Sequence, residues 1–338
     1  MPQAVIMAGG IGERFWPLTS ADFPKYRIRY DGRSSLLSST YARLARVYGA
    51  ARVHVITGRD HVRHVRAELT SLSSGNLHIE PFRNNTASAI HLTCEILRQR
   101  CGGEEVVSFY PADHLIQDTA SFAGTMRAAI RLAGSSRTLV TIGIRPTFAA
   151  TGYGYIERGQ AIRGTAGAHT VRRFVEKPDS RRAAAYLKGG RHAWNAGIFT
   201  WRLSTYYGEM ERHAPQFTRL KGVARLRAAY RRLPALSIDY ALMERTRRVT
   251  VLSTRMDWCD MGSWDMYYEK APKDAAGNAV IGGAVLKDCE NCLVHDALPG
   301  RARLSGLKDT IVVRTHQGML VCPRGASESA ARWAAQAS

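Results

Sequence analysis

Through the first 145 residues, short apolar runs alternate with longer helix-like stretches, and this rhythm constrains the fold more than any other feature of the chain. Strands are expected at 4–7, 53–57, 77–80, 106–110 and 139–144, and helices at 36–47, 61–72, 87–98 and 122–133. Alternation of this kind builds βαβ units and predicts an α/β fold with a doubly wound, mostly parallel sheet. Such sheets bind ligands beyond the carboxyl ends of their strands. The first strand runs straight into a glycine turn at 9–12, and Asp113 follows the run at 106–110, so turn and carboxylate should face one crevice.

The pattern changes after residue 152. Strands containing Gly and aromatic residues (GYGYIERG, TVRRFVEKP, HAWNAGIFTWRL) are followed by helices expected near 204–212, 217–231 and 238–246, as in a mixed insertion over one side of the sheet. After Pro272 come short apolar runs broken by Gly and Asn, with no helical periodicity until the tail. Regularly spaced short strands suggest a small β appendage. The expected division is a large domain at 1–272 and a β-rich domain with its tail at 273–338.

The glycine turn carries the chemistry of a polyphosphate grip. In VIMAGGIGERFWPLTSADFPK (5–25), Gly9, Gly10 and Gly12 free backbone N–H groups to close around phosphate oxygens, while Arg14 and Lys25 supply cationic donors. No Gly-Lys-Ser/Thr ends the loop, which excludes a Walker P-loop. Phe15 occupies the third glycine position of a dinucleotide fingerprint, which excludes that motif too.

Charge and cysteine content narrow the function classes. The net charge of +20 arises from 48 basic against 28 acidic residues, and the basic residues, mostly arginine, are scattered instead of interleaved with aromatics. A nucleic-acid platform is therefore not expected, and the charge suits steering of anionic substrates. No apolar run reaches the ~18 residues of a membrane span, and the chain enters a strand at once instead of showing a leader, so a soluble, cytoplasmic protein is expected. Of six cysteines only Cys289 and Cys292 have CxxC spacing, without the second pair that structural zinc needs.

Gly9, Gly10, Gly12, Arg14, Pro17, Thr19, Pro24 and Lys25 together resemble the G-G-x-G-x-R-x-x-P-x-[ST] and following P-K of sugar-1-phosphate nucleotidyltransferases. With YPADHLI (110–116), FVEKP (174–178), WNAGIF (194–199) and DWCDMGSW (257–264), nearly the whole chain resembles the mannose-1-phosphate guanylyltransferases, including the β appendage but not the further isomerase-type domain of longer members.

The resemblance implies a nucleotide-diphospho-sugar transferase fold of the GT-A, Rossmann-like kind with a left-handed β-helix-like appendage. It also implies transfer of GMP from GTP to α-D-mannose 1-phosphate, giving GDP-mannose and pyrophosphate. Asp113 and Asp260 would be magnesium ligands; Ala8 and the loop glycines, with Arg14, Lys25, Asn85, Thr86 and Asp113, would hold the nucleotide. Gly154, Glu176, Lys177, Asn195 and Asp239 would hold the sugar phosphate, with Arg14, Lys25, Asp113, Lys177 and Asp260 the catalytic set.

Carboxylates suit a hard cation that keeps phosphate and water ligands, and a carboxamide suits adjacent hexose hydroxyls. Asn84 and Ser88 depart from the family pattern in the segment by the base and ribose, which leaves the base open, and Glu13, Tyr26 and Arg27 depart from it beside the phosphate and sugar pockets, which leaves the reaction class intact and opens the sugar to alternatives such as a heptose or octose 1-phosphate. A catalytically silent regulatory homologue should have lost Arg14, Lys25, Asp113 or Asp260, and all four are present. A homodimer is the expected assembly.

Overall fold

The computed structural model describes residues 1–329 and Trp333. Up to residue 270 the strands are β1 (Gln3–Ala8), β2 (Val53–Gly58), β3 (Leu77–Glu80), β4 (Val106–Pro111), β5 (Leu115–Ile116), β6 (Leu139–Ile144), β7 (Tyr155–Ala161), β8 (Ala168–Val175), β9 (His192–Arg202), β10 (Val249–Thr254) and β11 (Trp258–Cys259). The helices are α1 (Leu36–Tyr48), α2 (Val62–Glu68), α3 (Asn85–Cys101), α4 (Thr119–Ser135), α5 (Ser180–Gly189), α6 (Leu203–His213), α7 (Pro215–Thr218), α8 (Val223–Ala229) and α9 (Trp264–Lys270).

Nine strands form one sheet in the order β3-β2-β1-β4-β9-β6-β10-β8-β7. The β1, β2, β3 and β4 ladders are parallel, as the βαβ rhythm requires, and β6 pairs β10 in parallel. The remaining ladders are antiparallel because β9 enters between β4 and β6, and β7 and β8 form a hairpin-like edge. Alternation along β1 assigns its faces: Ala4, Ile6 and Ala8 pack with Leu37, Tyr41 and Leu44 of α1 and Phe122 and Met126 of α4. Val5 faces the opposite layer, with Ile90 and Leu97 of α3 and Tyr206 of α6.

Helix ends follow their caps. Ser35, Asp118, Asp179 and Ser263 each accept a hydrogen bond from the backbone N–H three residues on and start α1, α4, α5 and α9. Expected helices shorten where the chain breaks them. The stretch at 217–231 divides into α7 and α8 at Gly222, whose φ of 90° no helix tolerates. The stretch at 61–72 ends at Glu68, and that at 238–246 becomes a five-residue π turn, Asp239–Met243.

Beyond α9 the chain forms β12 (Ala279–Gly282), β13 (Val285–Lys287), β14 (Leu293–Asp296), β15 (Arg303–Ser305), β16 (Thr310–Thr315) and β17 (Gly318–Pro323). It alternates between two small sheets, with β12, β14 and β16 parallel in one and β13 and β15 parallel in the other, before β17 turns back against β16. Ala279, Leu293, Ile311, Val313 and Leu320 are buried against Phe15, Leu18, Trp264 and Tyr267, so the appendage shares a core with the loop that follows β1. The tail expected after the β appendage lies mainly outside the described residues. No helix among the described residues is long and apolar enough to cross a membrane.

Candidate active site

The glycine turn leaves β1 at the sheet's carboxyl edge and is tied down from behind. Lys25 N donates to the Ile11 carbonyl at 2.9 Å, and Thr19 Oγ1 donates to the Gly12 carbonyl at 2.7 Å. Gly12 has φ 84°, and a Cβ there would lie 2.4 Å from Lys25 Cβ, so this glycine is required by the packing of Lys25 itself. A Cβ on Gly9 or Gly10 would meet no protein atom within 4 Å. Those two glycines leave their backbone approachable from outside.

Lys25 is buried and is the hub of the site. Its ammonium lies 2.8 Å from Asp113 Oδ2 and donates to the Asp260 backbone carbonyl at 2.6 Å, joining the turn after β4 to the loop after β11. Burial by itself would raise the Asp113 carboxyl, but Lys25 outweighs it and holds it below the usual aspartate value. The His114 imidazole is pushed down to about 4 by burial and accepts from Trp258 Nε1 at 3.1 Å, so beside Asp113 it is a neutral wall. Asp113 is not the cap of α4; Asp118 is.

Asp260 is held by a residue that sequence reasoning did not single out. Tyr153 OH donates to Asp260 Oδ1 at 2.7 Å, and burial together with that carboxylate raises the phenol well above its ordinary value, keeping it a donor. Its signal was in the GYGYIE segment, of which only Gly154 was assigned a role. Arg14 lies over the same loop: its Nη1 is 3.2 Å from where a Gly262 Cβ would be and 3.9 Å from that of Gly152. Met261, next to Asp260, has φ 48°, a strained value for a non-glycine residue.

Tyr153 leads directly into the second group of predicted residues. Asn195 N donates to the Gly154 carbonyl at 2.8 Å, and a Cβ on Gly154 would come within 2.6 Å of Glu176 Oε2. Asn195 Nδ2 donates to Asp239 Oδ1 at 2.9 Å, while its Oδ1 accepts from Thr141 Oγ1 and Gly197 N at 3.2 and 3.1 Å. The carboxamide is thus locked, with Thr141 a second member unnoticed in the sequence. Burial, reinforced by Glu176, pushes Asp239 up to about 6. Asp239 opens the π turn, yet its side chain serves Asn195 and no helix end. Lys177 has φ 42° and its exposed ammonium lies 3.6 Å from its neighbour Glu176, away from the contacts of Lys25.

At the start of α3, Asn85 is exposed with φ 64°, and Thr86 Oγ1 accepts from Ile238 N at 2.9 Å, tying this loop to the Asp239 turn. Asn84 donates to the Tyr230 and Leu233 carbonyls and to Ser88 Oγ, and is buried. Tyr26 is buried against His61 Nδ1 at 2.9 Å, and Arg27 pairs with Glu68 at 3.2 Å. Of the departures from the family pattern, Asn84 and Tyr26 are thus buried and Arg27 is engaged with Glu68.

Among the described residues no three His, Cys, Asp or Glu side chains converge on one point. Asp113 and Asp260 nevertheless fit a hard divalent ion: one carboxylate is kept ionised, the other is oriented by a phenol, and substrate oxygens and water would complete the shell. Two protein ligands are what a metal shared with phosphates needs.

Residues 3–277 match the family model described as nucleotidyl transferase. The chain belongs to the nucleotidyl transferase family. The mannose-1-phosphate guanylyltransferase of Escherichia coli is 36% identical over 345 residues, spanning 96% of this chain and 71% of that protein, and that of Klebsiella pneumoniae is equally similar. A solved structure from Thermus thermophilus, described as a mannose-1-phosphate geranyltransferase, superposes with TM-score 0.86 at 29% identity over 99% of this chain and 98% of that one. The fold of that solved structure is therefore shared across the described residues, β appendage included. Enzymes of this family generally use a divalent metal.

Proposed function

We propose that this enzyme transfers GMP from GTP to α-D-mannose 1-phosphate, giving GDP-mannose and pyrophosphate with magnesium as the metal. The observation that carries the reading is the continuous chain of contacts from Asp113 through Lys25, Asp260 and Tyr153 to Gly154, Asn195 and Asp239. It spans the distance between a polyphosphate grip and a set of groups suited to hexose hydroxyls. The relatives named mannose-1-phosphate guanylyltransferase supply the identity of the two substrates.

A phosphate oxygen of the sugar 1-phosphate forms the new P–O bond at the α-phosphorus of GTP as the bridge to the β-phosphate breaks, and the electron pair leaves on pyrophosphate. No covalent enzyme intermediate is needed. Gly9 and Gly10 offer backbone N–H groups to the triphosphate, and Arg14 and the third N–H of Lys25 face the charge gathering on the leaving group. Lys177 and Glu176 would take the sugar's phosphate and a hydroxyl, and Asn195 and Asp239 the remaining hydroxyls. Asp113 and Asp260 would hold the magnesium ion, which supplies charge neutralisation between the two polyanions.

The test is pyrophosphate release with GTP, ATP, UTP, CTP and dTTP, each paired with mannose, glucose and a heptose 1-phosphate. Turnover confined to GTP with mannose 1-phosphate is expected. Turnover of GTP with another sugar alone would leave the chemistry and replace the substrate, and silence with every pair would contradict the reading.

A further inference from the structure

Asp113 and Asp260 leave the same end of a very short ladder. Between β5 and β11 only two residue pairs form, Leu115 with Cys259 and Ile116 with Trp258, and Asp113 precedes the first strand as Asp260 follows the second. An isolated pair of strands this short is marginal by itself, yet it is the backbone link that sets the separation of the two carboxylates. It is gripped from behind by Arg43 on α1. Arg43 Nη1 donates to the Ile116 carbonyl at 3.2 Å, and Nη2 donates to Thr40 Oγ1 at 3.0 Å with the His114 carbonyl at 3.5 Å.

Arg43 is 6% exposed, and its partners among the described residues are carbonyls and a hydroxyl, with no carboxylate. Burial lowers its pKa to about 10 and still leaves it a cation at neutral pH. A buried cation without a counter-ion is unfavourable, and an apolar side chain would fill the same space between α1 and α4 at less cost. What the charge contributes is therefore its grip. The guanidinium lies 5.1 Å from the Phe122 ring of α4, which orients its plane. The helix that carries it is seated on β1 through Leu37, Tyr41 and Leu44, so Arg43 ties the turn after β4 to the parallel core of the sheet.

We infer that Arg43 is a positioning residue for the divalent metal: its fork holds the β5–β11 ladder, and with it the spacing of the Asp113 and Asp260 carboxylates, while bonding to neither. The inference rests on the reading that these two carboxylates hold the metal. A lysine at this position would keep the charge and lose the planar fork that spans Thr40 and the two carbonyls, so the two side chains are not equivalent here. On the other side of the turn, the Trp258 Nε1 bond to His114 Nδ1 joins the same two strands, and Arg43 is the member of this frame that reaches outside it.

The first readout needs neither metal nor turnover. Hydrogen–deuterium exchange of the full chain should show the amides of 112–118 and 256–262 exchanging about tenfold faster in Arg43→Met than in wild type, as for the loss of about one net hydrogen bond, with β1 and β2 unchanged. The second is manganese binding in the presence of GTP, followed by electron paramagnetic resonance. Arg43→Met should weaken it by about 10–100-fold, the usual effect of losing a group that orients a metal ligand, and Arg43→Lys by less. In turnover, the magnesium needed for half-maximal rate should rise by the same factor, while the KM for sugar 1-phosphate stays and the rate at saturating magnesium recovers toward wild type.

Wild-type exchange and wild-type manganese affinity in Arg43→Met, or in Arg43→Lys should Arg43→Met not fold, would overturn the proposal. So would faster exchange spread equally over β1 and β2, which a general loss of packing would give. A wild type that binds no manganese with GTP would overturn the metal reading and this role with it; the exchange measured without metal reports on the ladder alone, so the two failures are told apart.

Discussion

Lys25 has three N–H donors, and the fold spends two of them before any substrate arrives, one on Asp113 and one on the Asp260 carbonyl. Lys25→Ala should therefore release both loops as well as a phosphate contact, lowering kcat/KM by about 10²–10³, as for loss of a preorganised donor to developing charge. Asp113→Asn should abolish metal-dependent turnover while leaving the circular dichroism of the wild type, with a lower melting temperature because buried Lys25 loses its partner. Retained activity at ordinary magnesium would remove Asp113 from the mechanism. Tyr153→Phe should raise the magnesium concentration needed for half-maximal rate by about 10–100-fold, the usual cost of losing a group that orients a metal ligand. At Asp239 the sign can be worked out: its pKa is raised to about 6, so the folded chain holds a proton that the unfolded chain has lost between the ordinary aspartate value and pH 6. Folded stability then falls as pH rises through that window. The KM for sugar 1-phosphate should rise as pH falls through about 6, and Asp239→Asn should remove the inflection. At this scale the carboxylates and the cations were legible in the sequence because each stands in a motif. Tyr153 was not, because its partner is 107 positions away and only folding puts the phenol on Asp260.

At the scale of elements, the two kinds of glycine in the loop after β1 predict different failures. Gly12→Ala meets Lys25 Cβ and a φ of 84°, and should cost about 1–3 kcal/mol of stability along with activity. Gly10→Ala meets no protein atom, and should keep the wild-type melting temperature while raising the KM for GTP. Equal melting losses for the two would mean that the loop's openness is incidental. The parallel half of the sheet was legible because strands and helices alternate there with clear periods. The antiparallel half was less so: β9 is buried along most of its length, reads as a near-continuous apolar run, and carries no mark of direction. Its place between β4 and β6 is decided by packing, and that place carries Asn195 to Gly154. Gly222, with helix-forming residues on either side, breaks the long helix expected at 217–231.

At the scale of the whole molecule, the composition change near 272 marks where the pattern alters, while the core shared by the β appendage and the loop after β1 runs across it. Phe15 and Met261, adjacent in sequence to Arg14 and Asp260, share that core with Leu293, Ile311 and Leu320 of the β coils. A chain ended at residue 272 should therefore expose this core and lose turnover even though every proposed catalytic residue is retained, and the full chain should melt in one transition monitored by Trp fluorescence. Independent melting of two units would show that the shared core is not cooperative. The most direct measurement of the central claim is mass-spectrometric detection of product after incubating the full chain with GTP and α-D-mannose 1-phosphate, with magnesium and with a chelator in its place. The contacts running from Lys25 to Asp239 predict GDP-mannose and an equal amount of pyrophosphate in magnesium, none with chelator, and none from Asp113→Asn. GDP-mannose formed at the same rate by Asp113→Asn, or GTP left intact by the wild type, would contradict it.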